Sequence, residues 1–189
     1  EEAAQLERLA DPNFRHKLIT EESVYPDSDV QILTELMATA FTMQYELSDG
    51  FDYEPSAQQS IAYLAEQVGV SGAEYAYDLL MSDGGRGFIY FPLLNYADGN
   101  LNFLEPVLQS DDCINSLSDG GAHCGTICDA ASPTFMLQHW VRDREGFKLS
   151  LSQAIKRQCA DTAKVYGLDD RGVLAPGYLA DINIIELHK

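Results

Sequence analysis

"FIYFPLLNYADGNLNFLEPVLQSDDCINSLSDGG", residues 88–121, is the stretch on which a reading of the fold turns. Its first seven residues, Phe88 to Leu94, are apolar without interruption, as expected of a strand covered on both faces. A polar loop, Asn95 to Asn100, leads into a helical pattern from Leu101 to Leu108. "CINSL", Cys113 to Leu117, is a second short apolar run, and it opens into Asp119, Gly120 and Gly121. Buried strand, helix and buried strand in succession is the rhythm of a parallel α/β sheet or barrel. In such folds functional side chains gather at the C-terminal ends of strands, where Asn95, Tyr96 and Asp119 fall.

Working outward, Ser132 to Asp143 predicts a helix with Pro133 in its first turn. Ser150-x-x-Gln153 is a capping box, opening a helix with Leu151, Ile155 and Cys159 on one face. The tail, "RGVLAPGYLADINIIELHK", predicts two short strands around a Pro176-Gly177 turn. Upstream, Glu2 to Leu9 reads as a helix, and Asp29 to Met37 fits either a strand or a buried helix. Glu46 to Pro55 is acidic and turn-rich, a surface loop. Ser56 is the expected N-cap of a helix carrying Ile61, Leu64, Ala65 and Val68, which Gly69 stops. Ser71 starts another, with Tyr75, Leu79 and Leu80 apolar, ended by "SDGGRG" at residues 82–87. Three parts result: a mostly helical acidic segment (1–87), an α/β segment (88–170) and terminal strands (171–189).

The 189 residues are 46% hydrophobic, enough for a core, and carry a net charge of -18. The charge is uneven: residues 1–110 hold 19 acidic and 4 basic side chains, residues 111–189 hold 11 and 8. Between Leu18 and Gly85 there is no lysine or arginine. Such a surface repels phosphate backbones and anionic lipid, which argues against nucleic-acid and membrane partners. No apolar run approaches the ~18 residues of a membrane span, and no leader pattern is present. The chain starts at Glu1 without a methionine, and an incomplete chain is the expectation. Cys113, Cys124, Cys128 and Cys159 read as free thiols of a reducing cytoplasm. His123, Cys124 and Cys128 also spell H-C-x3-C, a zinc-like spacing with no second knuckle to close it.

"LSDGGAH" at 117–123, "PLLNYADG" at 92–99 and "YGLDDRGVLAPGYLADINIIE" at 166–186 together resemble the amidohydrolase superfamily. The nearest resemblance is to its N-acyl-D-amino-acid deacylase (amidohydrolase 3) branch, over most of residues 53–187. The resemblance implies a metal-dependent hydrolase on a (β/α)8 barrel, with a small β domain built from both chain ends. In that pattern an early His-x-His pair and later histidines hold a divalent metal, most often zinc, and the last strand supplies an aspartate. That aspartate matches Asp119, implied as general acid/base and metal ligand. Gly120, Gly121, His123 and Tyr96 are implied at the substrate.

This chain has no His-x-His; its histidines are His16, His123, His139 and His188. A barrel of this type takes about 250 residues. The fold class expected is therefore α/β: the C-terminal part of a (β/α)8 barrel plus part of the small β domain. The fragment alone is expected to be inactive and to retain no metal. Its expected partners are a small-molecule amide, the missing N-terminal part of the same enzyme and, through unpaired strands, a second copy. Some deacylases place a carboxylate-binding arginine soon after S-D-G. Here the first arginine after Asp119 is Arg142, so the N-acyl-D-amino acid is one substrate class among amides. Two other readings stay open: a non-catalytic interaction module with an acidic contact face, and a small zinc protein using His123, Cys124 and Cys128.

Overall fold

The computed structural model of the chain describes residues 2–21, 31–115 and 129–187. It divides into two compact units, Glu1–Phe103 and Leu104–Lys189. No helix among the described residues is long and apolar enough to cross a membrane.

In the first unit, α1 (Glu2–Ala10), α2 (Pro12–Thr20), α3 (Gln31–Thr39) and α4 (Ile61–Val68) each pack against α5 (Gly72–Gly85). Capping chemistry sets their ends. The Asp11 carboxylate accepts from the Phe14 amide at 2.8 Å, and Pro12 opens α2, where its missing N–H leaves no intrahelical bond unmade. Ser71 and Glu74 form a reciprocal capping box at α5. Ser82, Asp83 and Gly84 leave helical geometry, so the predicted "SDGGRG" stop ends the regular helix.

The predicted Ser56 cap is displaced by one turn. Ser56 and Gln59 box a 3-10 turn, Ala57–Gln59, and Ser60 caps α4 by accepting from the Tyr63 amide. The break has a cause: Ser60 bridges Tyr45, and the Ile61 amide donates to the Gln44 carbonyl at 2.8 Å. Those pairings pin the backbone where a continuous helix would have run. Gly69, at φ 73, closes α4 as expected.

β1 (Tyr45–Leu47) pairs antiparallel with β2 (Phe88–Tyr90), matching Tyr45 with Tyr90, Glu46 with Ile89 and Leu47 with Phe88. Three expectations change here. Glu46 and Leu47 belong to a strand, not to the loop. Only three residues of Phe88 to Leu94 are strand, and they form an antiparallel ribbon in place of a parallel sheet buried on both faces. Phe88 is 65% exposed and Leu94 76%. A two-stranded ribbon has one neighbour per strand, and Pro92 has no N–H with which to carry the ladder further. Residues 31–39 form helix α3, the helical one of the two alternatives, with Leu36 and Met37 exposed. The buried apolar side chains of this unit include Tyr45, Ile61, Ala65, Ala76, Tyr96 and Leu101.

The second unit holds α6 (Leu104–Gln109), α7 (Ser132–Leu137), α8 (Leu151–Lys156) and α9 (Thr162–Val165). A π-helical turn, Gln138–Asp143, extends α7, and another, Arg157–Asp161, joins α8 to α9. The predicted helix of residues 101–108 starts later, at Leu104. The Ser150-Gln153 box and the first-turn Pro133 stand where the sequence puts them. The core is Leu108, Met136, Leu137, Trp140, Leu149, Ala154 and Ala163. Trp140 fixes it from three sides: its carbonyl accepts from the Leu149 amide at 2.8 Å, its ring lies edge-on to His139, and Arg144 sits 4.6 Å over its face.

The predicted strand of residues 113–117 is described only for 113–115, which carry no strand. Residues 171–187 are also without strand, although the turn forms, with the Tyr178 amide donating to the Ala175 carbonyl at 3.1 Å. A strand exists only through its ladder, and among the described residues none lies alongside this segment. Its apolar side chains stay in solvent, Ile184 at 94% exposure.

Candidate functional site

Asp119, Gly120, Gly121, His123, Cys124 and Cys128 lie outside the described residues. What the structure describes is the chain that enters this stretch and the chain that leaves it.

On the entering side, α6 ends at Gln109 and residues 110–115 continue without regular structure. Backbone outside helix and strand must find other partners for its carbonyls. Here two of them, at Ser110 and Cys113, go to one side chain. Arg157, 7% exposed, donates to the carbonyls of Ser110 (3.0 Å), Cys113 (2.9 Å) and Val107 (3.4 Å) and to the Asn115 side-chain oxygen (3.4 Å). Two of these bonds are good and two are long. The guanidinium also brings positive charge to the carbonyl end of α6, where the helix dipole favours it.

On the leaving side a 3-10 turn, Asp129–Ala131, feeds α7. His139, buried at 2% exposure, stacks on Phe135 with centroids 5.2 Å apart and planes 9° from parallel. Arg142, the first arginine after Asp119, is already engaged: it grips Asp143 through two bonds of 2.6 and 2.8 Å and donates to the Leu187 carbonyl. Its guanidinium holds the Asp143 carboxyl below the ordinary range. These bonds make Arg142 a clip between a helix end and the tail.

Tyr96 lies in the first unit, 4% exposed, its hydroxyl donating to the Pro55 carbonyl at 3.1 Å. Burial pushes its phenol well above the ordinary value, with Tyr45 and Glu54 adding to the effect. The hydroxyl offered to substrate in the sequence reading is taken up by the protein itself. Asn95, just before it, has φ 63, a left-handed turn that asparagine tolerates.

The tail motif has a visible reason for one of its glycines. Gly172 has φ +86, and a Cβ there would meet the Ala163 Cβ at 2.8 Å and the Cys159 carbonyl at 2.9 Å. The chain passes too close to α9 and the preceding π-turn for any side chain. Gly177, at φ +88, has open space around it and needs glycine only for its backbone.

Sequence reasoning passed over Arg157, Arg144, His139 and Trp140. Arg144 lies just past the end of the π-turn, so no helical spacing announces its place over Trp140. Nothing in the local pattern marks Arg157 as buried. Among the described residues no group of three or more His, Cys, Asp or Glu comes together to hold a metal.

Residues 106–188 match the family model described as Amidohydrolase family, so this part of the chain is similar to that family, and hydrolase chemistry is supported at that level. No curated protein and no solved structure matches the chain.

Proposed function

We propose that this chain carries the C-terminal part of an amidohydrolase that cleaves a non-peptide C–N bond, with Asp119 as general acid and base. N-acyl-D-amino acids are one candidate substrate class. The observation that supports this reading is the family match over residues 106–188, which spans both the Asp119 turn and the R-G-x-L-x-P-G tail. In the proposed chemistry the Asp119 carboxylate takes a proton from the attacking water. It then delivers that proton to the departing nitrogen. Both tasks call for one group that changes protonation near neutral pH and lies within reach of both atoms. Gly120, Gly121 and His123 are assigned to the substrate in this reading.

The family reading implies a divalent metal, zinc foremost. The residues present do not fit one by themselves. A single aspartate falls short of the three protein ligands a catalytic zinc takes, and the described residues add no cluster. Ligands, barrel strands and the other half of the small β domain are therefore assigned to sequence upstream of Glu1. A reducing, cytoplasmic setting accompanies this reading, in keeping with the free thiols of Cys113 and Cys159.

Sequencing the coding DNA upstream of Glu1 tests the proposal. An in-frame run encoding His-x-His at the end of an apolar strand is the expected result. A start codon directly before Glu1 would leave Asp119 without its partners and favour the interaction module instead.

A further inference from the structure

We infer that Asp49 is a modification site: of the described Asp-Gly pairs, Asp49–Gly50 is the one whose surroundings leave it free to rearrange to isoaspartate. Four aspartates in the chain precede a glycine, and three of them, Asp49, Asp83 and Asp98, lie among the described residues. Glycine is the neighbour this chemistry needs, because no side chain shields its nitrogen. The Gly50 nitrogen attacks Cγ of the Asp49 carboxylic acid. The N–Cγ bond forms, and the acid hydroxyl leaves as water with the amide proton. Water then opens the cyclic imide. Opening at the side-chain carbonyl restores aspartate, and opening at the main-chain carbonyl routes the backbone through the side chain. Water is released and then taken up, so no other reactant is needed and the mass is unchanged.

Local structure separates the three pairs. Asp49 and Gly50 are the central residues of a turn closed by the Phe51 amide, which donates to the Ser48 carbonyl at 3.1 Å. Gly50 has φ 77 and Asp49 is not left-handed, the type II pattern, in which the turn offers the third residue's amide no acceptor. Both residues are exposed, and among the described residues neither the Asp49 carboxylate nor the Gly50 amide has a partner. At Asp98 the nucleophile is engaged: the Gly99 amide donates to the Tyr96 carbonyl at 3.1 Å, and the Asn100 side chain donates to the Asp98 carbonyl at 3.0 Å. Asp83 has φ 47 and ψ 42, which turns the Gly84 nitrogen away from the Asp83 Cβ. Swinging it round for ring closure crosses backbone angles closed to an L residue at positive φ. Arg86 adds to the hold, donating to the Asp83 carbonyl at 3.2 Å. The consequence of reaction falls on the ribbon. Asp49 stands between β1 and Phe51, whose ring lies 4.7 Å from that of Tyr90 in β2. One extra backbone atom in that connection pulls against the packing of Phe51.

The test is incubation of the folded 189-residue chain in water enriched in heavy oxygen at neutral pH, because each opening of an imide installs one heavy oxygen. Cleavage after glutamate in ordinary water then releases Leu47–Glu54, and fragmentation in the mass spectrometer assigns label and isoaspartate to each aspartate. Label should enter Asp49 about tenfold faster than Asp98 or Asp83, the scale set by one hydrogen bond that must break before attack. In strong denaturant the three rates should converge. Equal rates in the folded chain would mean that the fold protects none of the pairs. A difference that survives denaturant would place the cause in local sequence, and an unlabelled Asp49 in a chain folded by circular dichroism would mean that the turn blocks the reaction. Any one of these three results overturns the proposal, and none depends on hydrolase activity.

Discussion

The Tyr96 hydroxyl donates to the Pro55 carbonyl across 41 residues of sequence, joining the chain after β2 to the chain before α4 inside the first unit. Around it, Phe51, Tyr53 and Tyr90 meet edge to face, and Tyr45 lies 6.5 Å from Tyr90. This aromatic cluster is how a unit with so little sheet holds its ribbon in place.

The cluster makes stability sensitive to alkali. Burial, then Tyr53, Tyr45, Glu54 and Asp52, push the Tyr90 phenol up to about 12, and burial raises Tyr45 and Tyr96 as well. A phenol whose folded value is raised costs nothing while both states are protonated. Above the unfolded value of about 10 the unfolded chain ionises first. Stability of the first unit should therefore be level below about pH 10 and fall as pH climbs towards the folded values. Denaturant unfolding followed across that range checks this. Tyr96→Phe should cost about 1 kcal/mol at neutral pH by removing the Pro55 bond, and should flatten the alkaline fall. An alkaline limb unchanged by both Tyr90→Phe and Tyr96→Phe would contradict the assignment.

Gly172 and Gly177 share a positive φ and differ in surroundings. Gly172→Ala should destabilise the second unit by more than about 1 kcal/mol, since backbone strain is joined by collision with α9 and the Cys159 carbonyl. Gly177→Ala carries the strain alone and should cost about 1 kcal/mol. Thermal melts of the two variants, side by side, decide whether close packing separates them.

Asp119→Asn keeps the shape of the turn and removes the base. In a hydrolytically active form of the protein, turnover should drop at least about a hundredfold with the fold intact. Circular dichroism and steady-state kinetics on one preparation test both halves of that statement. Near-normal turnover with the asparagine would end the catalytic assignment.

The tail exposes Leu174, Ile182, Ile184 and Ile185 on a segment without a ladder. Burying apolar surface is worth roughly 25 cal/mol per Å². The opposing charge repulsion is screened within about 8 Å at physiological salt. Self-association that grows with salt is the expected behaviour in light scattering. Ile184→Asp should weaken it, and a monomer at every salt concentration would rule out the tail as an adhesive edge.

Local chemistry made much of this chain legible. Ser71 with Glu74 and Ser150 with Gln153 announce helix starts because a capping box needs only residues three apart. Gly69 and the Pro176-Gly177 turn are legible for the same reason, since backbone sign and ring constraint act within a few residues. Phe88 to Leu94 misled because an apolar run states what would like to be buried, not whether a neighbouring strand exists to bury it. The Tyr96–Pro55 bond was not legible, because position after a strand says nothing about which carbonyl a hydroxyl meets.

By itself the sequence determined the capping-box starts at Ser71 and Ser150, the acidic character of residues 1–110 and the S-D-G and R-G-x-L-x-P-G motifs that carry the family likeness. Those follow from side chains acting on their own backbone, or from charge, which sums without regard to geometry. Tertiary structure alone decided that β2 pairs antiparallel with β1, that Arg142 is spent on Asp143 and Leu187, and that Arg157 collects the carbonyls ahead of Asp119. Each of those is a contact between residues whose separation in sequence places no constraint on their separation in space, or a choice among several acceptors that local sequence leaves open.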